Sequence, residues 1–371
     1  MDKRKFLSLS ILIAIGIIFQ IFIHDGFNLF NSKNKTELIY KNSPVVFPMV
    51  DKTIPFNGDF QINNPAGDII LESSEDDQSH INITARIFHE DKNDAVKIRN
   101  DLRFSLKTEK GMQQVRFDSE KEFPYQYVRL TYRLKISKKA HIFVTGQLGK
   151  LDVRSLNSPL EVIGDALHIN IEDAKRKIFL KKARNSQVNL DGCNEIVANL
   201  IDSTSIITSP KGNIKSFCKG GSIKITAVDN PKQAIGITSK QSRVSLSGIV
   251  NDSIDVNISF EDVFIKQVQS NTMLVKQKNG NFVLDLAPNQ AENHAQTISV
   301  DAKDAKILIR QQTKQNPSYT IDLTYGEIRG DRYQSEILKR NHTQKLIKND
   351  GLPKILIRGE YSDVKITEIE G

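Results

Sequence analysis

Tryptophan is absent from the 371 residues, and cysteine occurs only twice. So few cysteines exclude a disulfide-dense small scaffold. Cys193 and Cys218 also lack a histidine pair at ligand spacing, which argues against a zinc site. The signature motifs of nucleotide-binding proteins, serine hydrolases and zinc proteases are missing as well. We therefore predict a protein with no catalytic residues, no metal site and no cofactor.

Long apolar runs are missing too, with one exception near the N-terminus. Residues 6–23 carry no charge and follow the basic residues Lys3, Arg4 and Lys5. As a helix this run measures about 27 Å, close to the roughly 30 Å core of a bilayer. It predicts an uncleaved signal anchor, with the N-terminus inside and the main domain periplasmic or extracellular. A cleaved signal peptide is the alternative.

Helical periodicity is scarce after residue 54. A short amphipathic helix is predicted over residues 91–102, with Asp91 or Asn93 as its N-cap. A weaker, polar candidate covers residues 334–347. The remaining chain alternates apolar and polar residues with a period of two, which is typical of β-strands.

Between residues 151 and 282 the short apolar segments recur about every 9.4 residues. Strands this short bury little surface in a sandwich, whereas a coil of parallel strands stacks the inward residues of each turn on the next. The spacing predicts an all-β fold, a right-handed parallel β-solenoid (β-helix). Two or three strands per turn correspond to roughly 19 or 28 residues. An antiparallel sandwich is the alternative.

Five segments follow from these patterns. We predict a signal anchor over residues 1–30, with the transmembrane helix at about 6–23, and a polar tether over 31–52. An N-terminal cap of strands and one helix covers 53–149, the solenoid covers 150–290, and C-terminal strands over 291–371 close it. Caps are needed because open strand edges invite aggregation.

Three stretches resemble a known family in their order. They are FQINNPAGDIILESSEDDQSHINITARI (60–87), VRLTYRLKISKKAHIFVTGQLGKLDVRSL (128–156), and IDLTYGEIRGD (321–331) with PKILIRGEYSDVKITEI (353–369). This order resembles the putative-adhesin domain family DUF4097, predicted bacterial cell-envelope proteins with β-helical folds. The resemblance covers about residues 50–371 and implies no catalytic residues. Family members usually repeat a glycine between short strands, which the units at 183–185 and 260–262 lack.

The positive charge is uneven along the chain. Between residues 97 and 184, 20 Lys and Arg residues stand against 10 Asp and Glu residues. The densest part, here called the basic patch, comprises Lys175, Arg176, Lys177, Lys181, Lys182 and Arg184. It is a candidate site for an anionic envelope glycolipid or polymer, and a solvated surface is the alternative. Nucleic acid is a poor partner for an exported domain without interleaved aromatic residues.

Two further constellations depend on the number of strands per turn. With three strands, Cys193 and Cys218 would stack on neighbouring turns, where a disulfide can form; with two, they lie on opposite faces as free thiols. The acidic pairs at 172–173 and 261–262 would bind Ca²⁺ only if they stacked. Solvated acidic corners are the alternative.

Together these observations predict a membrane-anchored, non-enzymatic β-solenoid protein of the bacterial cell envelope. Its role would be adhesin-like binding or scaffolding, with the bilayer contacted through residues 6–23. The partner would be an anionic glycolipid, a polymer or another envelope protein. A periplasmic module that handles lipid or lipopolysaccharide is one alternative, and it requires an open apolar interior. A polysaccharide-active β-helix enzyme is another, and it requires the acidic corners to converge.

Overall fold

The computed structural model describes residues 43–55, 58–76, 78–117, 122–286, 296–349 and 351–369. The predicted transmembrane run at 6–23 and most of the predicted tether lie outside these residues. Within the described ranges, no helix combines the length and the apolar character needed to cross a membrane.

The described chain forms 22 strands that join in one hydrogen-bonded sheet. There is one longer helix, α1 (Lys92–Asp101), and a 3₁₀ turn at Asp331–Glu336. The strands are β1 (Val45–Pro55), β2 (Asp59–Asn64), β3 (Gly67–Ser73), β4 (Gln78–Ile87), β5 (Phe104–Glu109), β6 (Met112–Phe117), β7 (Val128–Ile136), β8 (Ile142–Arg154), β9 (Leu160–Glu172), β10 (Ile178–Arg184), β11 (Gln187–Asp191), β12 (Ile196–Thr208), β13 (Ile214–Lys240), β14 (Arg243–Ser259), β15 (Val263–Leu286), β16 (Thr297–Gln312), β17 (Ser318–Thr324), β18 (Ile328–Arg329), β19 (Ile337–Arg340), β20 (Thr343–Lys348), β21 (Lys354–Glu360) and β22 (Asp363–Ile369).

Strands β8 to β16 form a parallel coil. Each turn has two faces. On the first face Ile142 of β8 pairs with Leu160 of β9, and on the second face Leu151 of β8 pairs with Ile169 of β9. Side chains of successive turns hydrogen-bond at separations of 18 or 19 residues. These separations agree with the two-strand version of the solenoid prediction. The parallel register also excludes the antiparallel sandwich for this region.

The coil has a short third side that the sequence did not reveal. After the second face, each turn contributes an inward residue before the next first face begins. These residues are buried, and they include Leu156, Ala174, Cys193, Val228, Ile249 and Val268. In the later turns this side is itself a strand, because residues 228–230 pair with 249–251, which pair with 268–270. Apolar side chains from all three sides thus fill the interior.

The corners turn through left-handed backbone. The first corner joins the first and second faces, and the second corner joins the second face to the third side. Residues with positive φ recur in both columns: Leu148, Ala166, Asn185, Asp202, Gln241, Phe260, Asn279 and Asp304 at the first, and Ser155, Asp173, Ser209, Ala227 and Gln267 at the second. Asn185 and Phe260 occupy two units that have no glycine at this corner. Most turns therefore use a non-glycine residue where glycine would be least strained.

The N-terminal end is capped by antiparallel strands. β4 pairs with both β1 and β7, and the β5–β6 hairpin extends the sheet beside β2. β2 and β3 already pair in parallel with β8, so the coil begins at residue 59, inside the segment that the sequence analysis treated as a cap. The predicted helix is confirmed as α1: the Asp91 carboxylate accepts a hydrogen bond from the Asn93 backbone N–H at 2.7 Å.

The C-terminal end departs from chain order. β21 lies between β16 and β17, parallel to both, and β22 likewise lies between β16 and β18. Strand β20 covers β17 on its outer side and pairs with β19. The helix predicted over residues 334–347 is wrong beyond residue 336. Leu346 is fully buried opposite Ile321 and Ile337, because alternating side chains of a strand can cover the end of the coil.

Candidate functional site

Carboxylates of the same or a neighbouring turn neutralise much of the basic patch. Lys175 pairs with Asp173 at 2.5 Å and Lys177 with Glu195 at 2.6 Å. The remaining pairs are Lys181 with Glu161 at 3.8 Å and Arg184 with Asp165. Of the six patch cations, only Arg176 and Lys182 have no ion pair within the described ranges.

The pKa values of the partner carboxylates follow from this geometry. Hydrogen bonds from Lys175 and Lys211 lower the pKa of Asp173 to about 2. The Arg184 guanidinium lowers the pKa of Asp165 in the same way. Both carboxylates are therefore ionised at neutral pH and compensate the cations beside them, which leaves the patch with less free charge than its sequence indicates.

Cys193 and Cys218 are free and buried in the structure, on different sides of the coil. Cys193 belongs to the third side, with its Sγ 3.5 Å from the carbonyl oxygens of Ile171 and Asp191. Cys218 lies on the first face, 3.3 Å from the Ser216 hydroxyl. Burial raises the pKa of Cys193 to about 11, so this thiol is protonated and unreactive at neutral pH.

The acidic corners do not converge. Asp173 lies at the second corner, whereas Glu261 and Asp262 follow Phe260 at the first corner several turns away. Asp262 is engaged locally, because one of its oxygens accepts hydrogen bonds from the backbone and side-chain amides of Asn281 at 2.9 Å. Across the part of the chain that the structure describes, no three acidic, histidine or cysteine side chains are close enough to hold a metal ion. The condition for the calcium site is therefore not met.

A different set of cations lies on the outer wall of the first face. Lys219, Lys240 and Lys278, here called the lysine ladder, occupy one column next to the first corner. Lys219 pairs across the sheet with Ile201, and Ser259 lies directly between Lys240 and Lys278. All three lysines are exposed. None has a carboxylate within ion-pair distance in the described ranges.

Sequence reasoning missed the lysine ladder because its members are far apart in the chain. Lys219 shares residues 211–224 with three other lysines and no acidic residue, but these cations are spaced apart rather than clustered as in the basic patch. The signal that could have found them is their recurrence at about one turn's separation, 21 residues from the first to the second and twice 19 from the second to the third. Reading that signal requires the turn length, which the structure supplies.

Two exposed phenylalanines flank the ladder. Phe217 is 42% exposed on the first face, and Phe260 is 50% exposed at the first corner. Together with the three lysines they line a groove of about 510 Å³, here called the Phe–Lys groove, whose wall includes Thr238, Asn257 and Ser259. Its size is that of an ordinary small-molecule site. The arrangement can offer cations, aromatic faces and polar groups to one ligand.

Comparison with known proteins gives weak structural likeness only. No family model and no curated protein matches the chain. The structure is similar to a putative adhesin from Parabacteroides merdae, with 13% identity, a TM-score of 0.28, and 88% of this chain and 98% of that chain covered. It is also similar to a putative lipid binding protein from Parabacteroides distasonis, with 11% identity, a TM-score of 0.29, and coverage of 88% and 98%. A putative cell adhesion protein from Clostridium sporogenes matches at 8% identity and a TM-score of 0.18, with 88% and 100% covered.

Likeness at this level carries no argument about what the present chain binds. The resemblance to DUF4097 likewise stays a prediction from the quoted stretches.

Proposed function

We propose that the chain is a non-enzymatic, membrane-anchored β-solenoid protein of the bacterial cell envelope that binds or scaffolds through its outer wall. One observation carries the proposal. The inward side chains of the first face are fully packed, with Ile196, Ile235 and Ile254 at most 1% exposed. The groups able to meet a partner are on the outside, where the Phe–Lys groove gathers cations and aromatic rings.

The envelope location rests on the sequence. A basic head followed by the uncharged run at 6–23 is the pattern of a single-pass anchor with its N-terminus in the cytoplasm. The coil would then be periplasmic or extracellular. The filled interior also bears on lipid handling, since an acyl chain would need apolar space that packed side chains occupy. We therefore place the binding function on the outer wall.

Protease accessibility of the full chain with a C-terminal tag tests the location. If protease removes the tag in intact cells, the coil is on the surface; if removal needs spheroplasts, the coil is periplasmic. Either result supports the proposal. A tag that survives in spheroplasts and is lost only after lysis would place the coil in the cytoplasm and overturn it. A cytoplasmic reporter carrying the same tag serves as the control for cell integrity.

A further inference from the structure

The geometry points to a ligand class for the Phe–Lys groove: we infer that it binds a linear acidic glycan, a saccharide chain bearing carboxylate or phosphate groups. The inference rests on the proposed function in one respect, because an envelope location brings the groove to such glycans. Four observations support it, namely unpaired charge, exposed aromatic rings, free polar groups and the direction of the groove.

The first observation is unpaired positive charge. Neighbouring strands lie about 4.8 Å apart, so the ladder holds its ammonium groups near one another along the wall. At the next turn, Lys278 lies directly opposite Lys303, a like-charge pair of the kind that destabilises a sheet. Lys303 is compensated by Glu360 at 2.9 Å, whereas the ladder lysines have no such partner in the described ranges. An anionic ligand would supply the missing charge.

The second observation is the position of the two aromatic rings. Phe260 has φ of +65°, a conformation that is rare for a bulky side chain, and it remains half exposed. Burial of this ring therefore contributes little to the free energy of folding. A glycine would adopt the same backbone conformation with less strain. Exposed aromatic faces pack well against flat ligands with one apolar side, and the C–H face of a pyranose ring is such a surface.

The third observation is a set of free polar groups between the rings. Thr238, Asn257 and Ser259 line the groove, and their side chains make no hydrogen bond to the described protein atoms. A hydroxyl and an amide can both donate and accept, which matches the hydroxyl groups of a sugar. A simple polyanion such as a polyphosphate would use the lysines but would leave these groups unused.

The fourth observation is the direction of the groove. A second depression of about 610 Å³ continues along the first face and shares Ser259 and Lys278 with the Phe–Lys groove. It adds Lys303 one turn after Lys278 and Arg358 on the turn after that, together with the carboxylates of Asp301, Asp322 and Glu360, of which Glu360 pairs with Lys303. The combined surface follows the axis of the coil rather than surrounding one closed cavity. It therefore fits an extended polymer better than a single small anion.

Binding of an oligogalacturonate to the purified full chain tests the inference. The triple variant Lys219→Gln, Lys240→Gln and Lys278→Gln should lose at least about tenfold in affinity, because charge-assisted contacts are removed. The matched control is Lys224→Gln, Lys266→Gln and Lys306→Gln, three exposed lysines of the second face. It has the same change in net charge and should stay within about twofold of the parent. Equal losses in both triple variants would overturn the inference in favour of unspecific charge.

A second variant separates a glycan from a generic polyanion. Phe217→Ala should weaken oligogalacturonate binding about tenfold while leaving polyacrylate binding within about twofold, since only the saccharide offers a face for the ring. Equal effects on both probes would contradict the role of the ring. Thermal unfolding of each variant checks that the coil is intact.

Further probes identify the source of the anion. A dextran phosphate that binds as tightly as the oligogalacturonate, while neutral dextran does not bind, supports an acidic glycan of either charge type. Binding to phosphatidylglycerol-containing vesicles without binding to any soluble glycan would overturn the inference and assign the groove to a lipid surface. If no probe binds but protease still reaches the coil outside the cytoplasm, the inference fails and the proposed function stands.

Discussion

The basic patch and the lysine ladder show how differently charge is arranged along a chain and on a coil. The patch is dense in sequence, with six cations between residues 175 and 184, yet four of them pair with carboxylates, three of these on an adjacent turn. The ladder is dispersed over 60 residues, yet it forms one column on the wall without a carboxylate partner in the described ranges. Density in sequence is therefore a poor guide to free charge on this fold.

The reason is the neighbour relation of a solenoid. Arg184 reaches Asp165 across 19 residues, and Lys177 reaches Glu195 across 18. In the ladder the corresponding position between Lys240 and Lys278 holds Ser259, which carries no charge. Whether a cation is free is decided by the residues one turn before and one turn after it.

The largest effect is expected when the lysine ladder receives a carboxylate partner like those of the basic patch. In Ser259→Glu, one carboxylate lies between two lysines, as in the basic patch. We expect at least a tenfold loss of oligogalacturonate affinity, because the new charge occupies the lysines and repels the ligand. Calorimetric titration measures it. The control is Ser245→Glu, which lies opposite Lys224 on the second face and should leave the affinity unchanged. Unchanged affinity in Ser259→Glu would refute the claim that the unpaired lysines of the ladder bind the ligand.

A smaller effect is expected when the basic patch itself is removed. The variant Lys175→Gln, Lys177→Gln, Lys181→Gln and Arg184→Gln loses more charge than the ladder variant, yet its affinity should fall by no more than about twofold at physiological salt. Its cations are engaged by carboxylates, and the remaining long-range attraction is screened within about 8 Å. The same titration decides it. A loss as large as that of the ladder variant would show that total charge, rather than position, determines binding.

The smallest effect concerns the stability of the patch. Asp173→Asn should lower Tm by about 1–2 °C at pH 7, as expected for an exposed ion pair in a domain of this size. Because the folded pKa of Asp173, about 2, lies below the unfolded value of 3.8, its contribution is present above about pH 4. It is lost as the pH falls through 2.

Differential scanning calorimetry between pH 7 and pH 2 measures that contribution. The difference between the parent and Asp173→Asn should be constant down to about pH 4 and then close. Asp255→Asn is the matched control, since Asp255 is exposed and has no ion pair in the described ranges. A difference in Tm that persists at pH 2 would mean that the asparagine side chain perturbs the structure of the corner, and that loss of the ion pair is not the cause.

The local features of the fold were accessible from sequence. Alternation with a period of two marks strands, and the spacing near 9.4 residues predicts a turn of about 19 or 28 residues, of which the register shows the shorter. Helix α1 was predicted with its cap, because an aspartate before an amphipathic segment is itself a local signal. Such features depend on a few adjacent residues.

What escaped prediction depends on residues one turn or more apart. The corners at Asn185 and Phe260 carry no glycine, so the sequence gives no signal for their left-handed backbone. The third side made the ladder hard to recognise in the sequence, because the number of residues in this side differs between turns. The pairing of β13 with β14 shifts between Asn230 and Ala234, so the ladder lysines do not recur at a constant spacing. The hairpin β19–β20 was mistaken for a helix because its polar sequence has few apolar residues to mark a period.

The position of β21 and β22 has a consequence for the order in which the protein can be completed. A chain made from its N-terminus has β16, β17 and the β19–β20 hairpin available before the turn that lies among them. Ile298 pairs with Ile355, a partner 57 residues later in the chain. Until residues 354–369 arrive, β16 and β17 expose facing strand edges, the feature most prone to pairing with another chain. This interval of synthesis is when the protein would most need protection from its own copies.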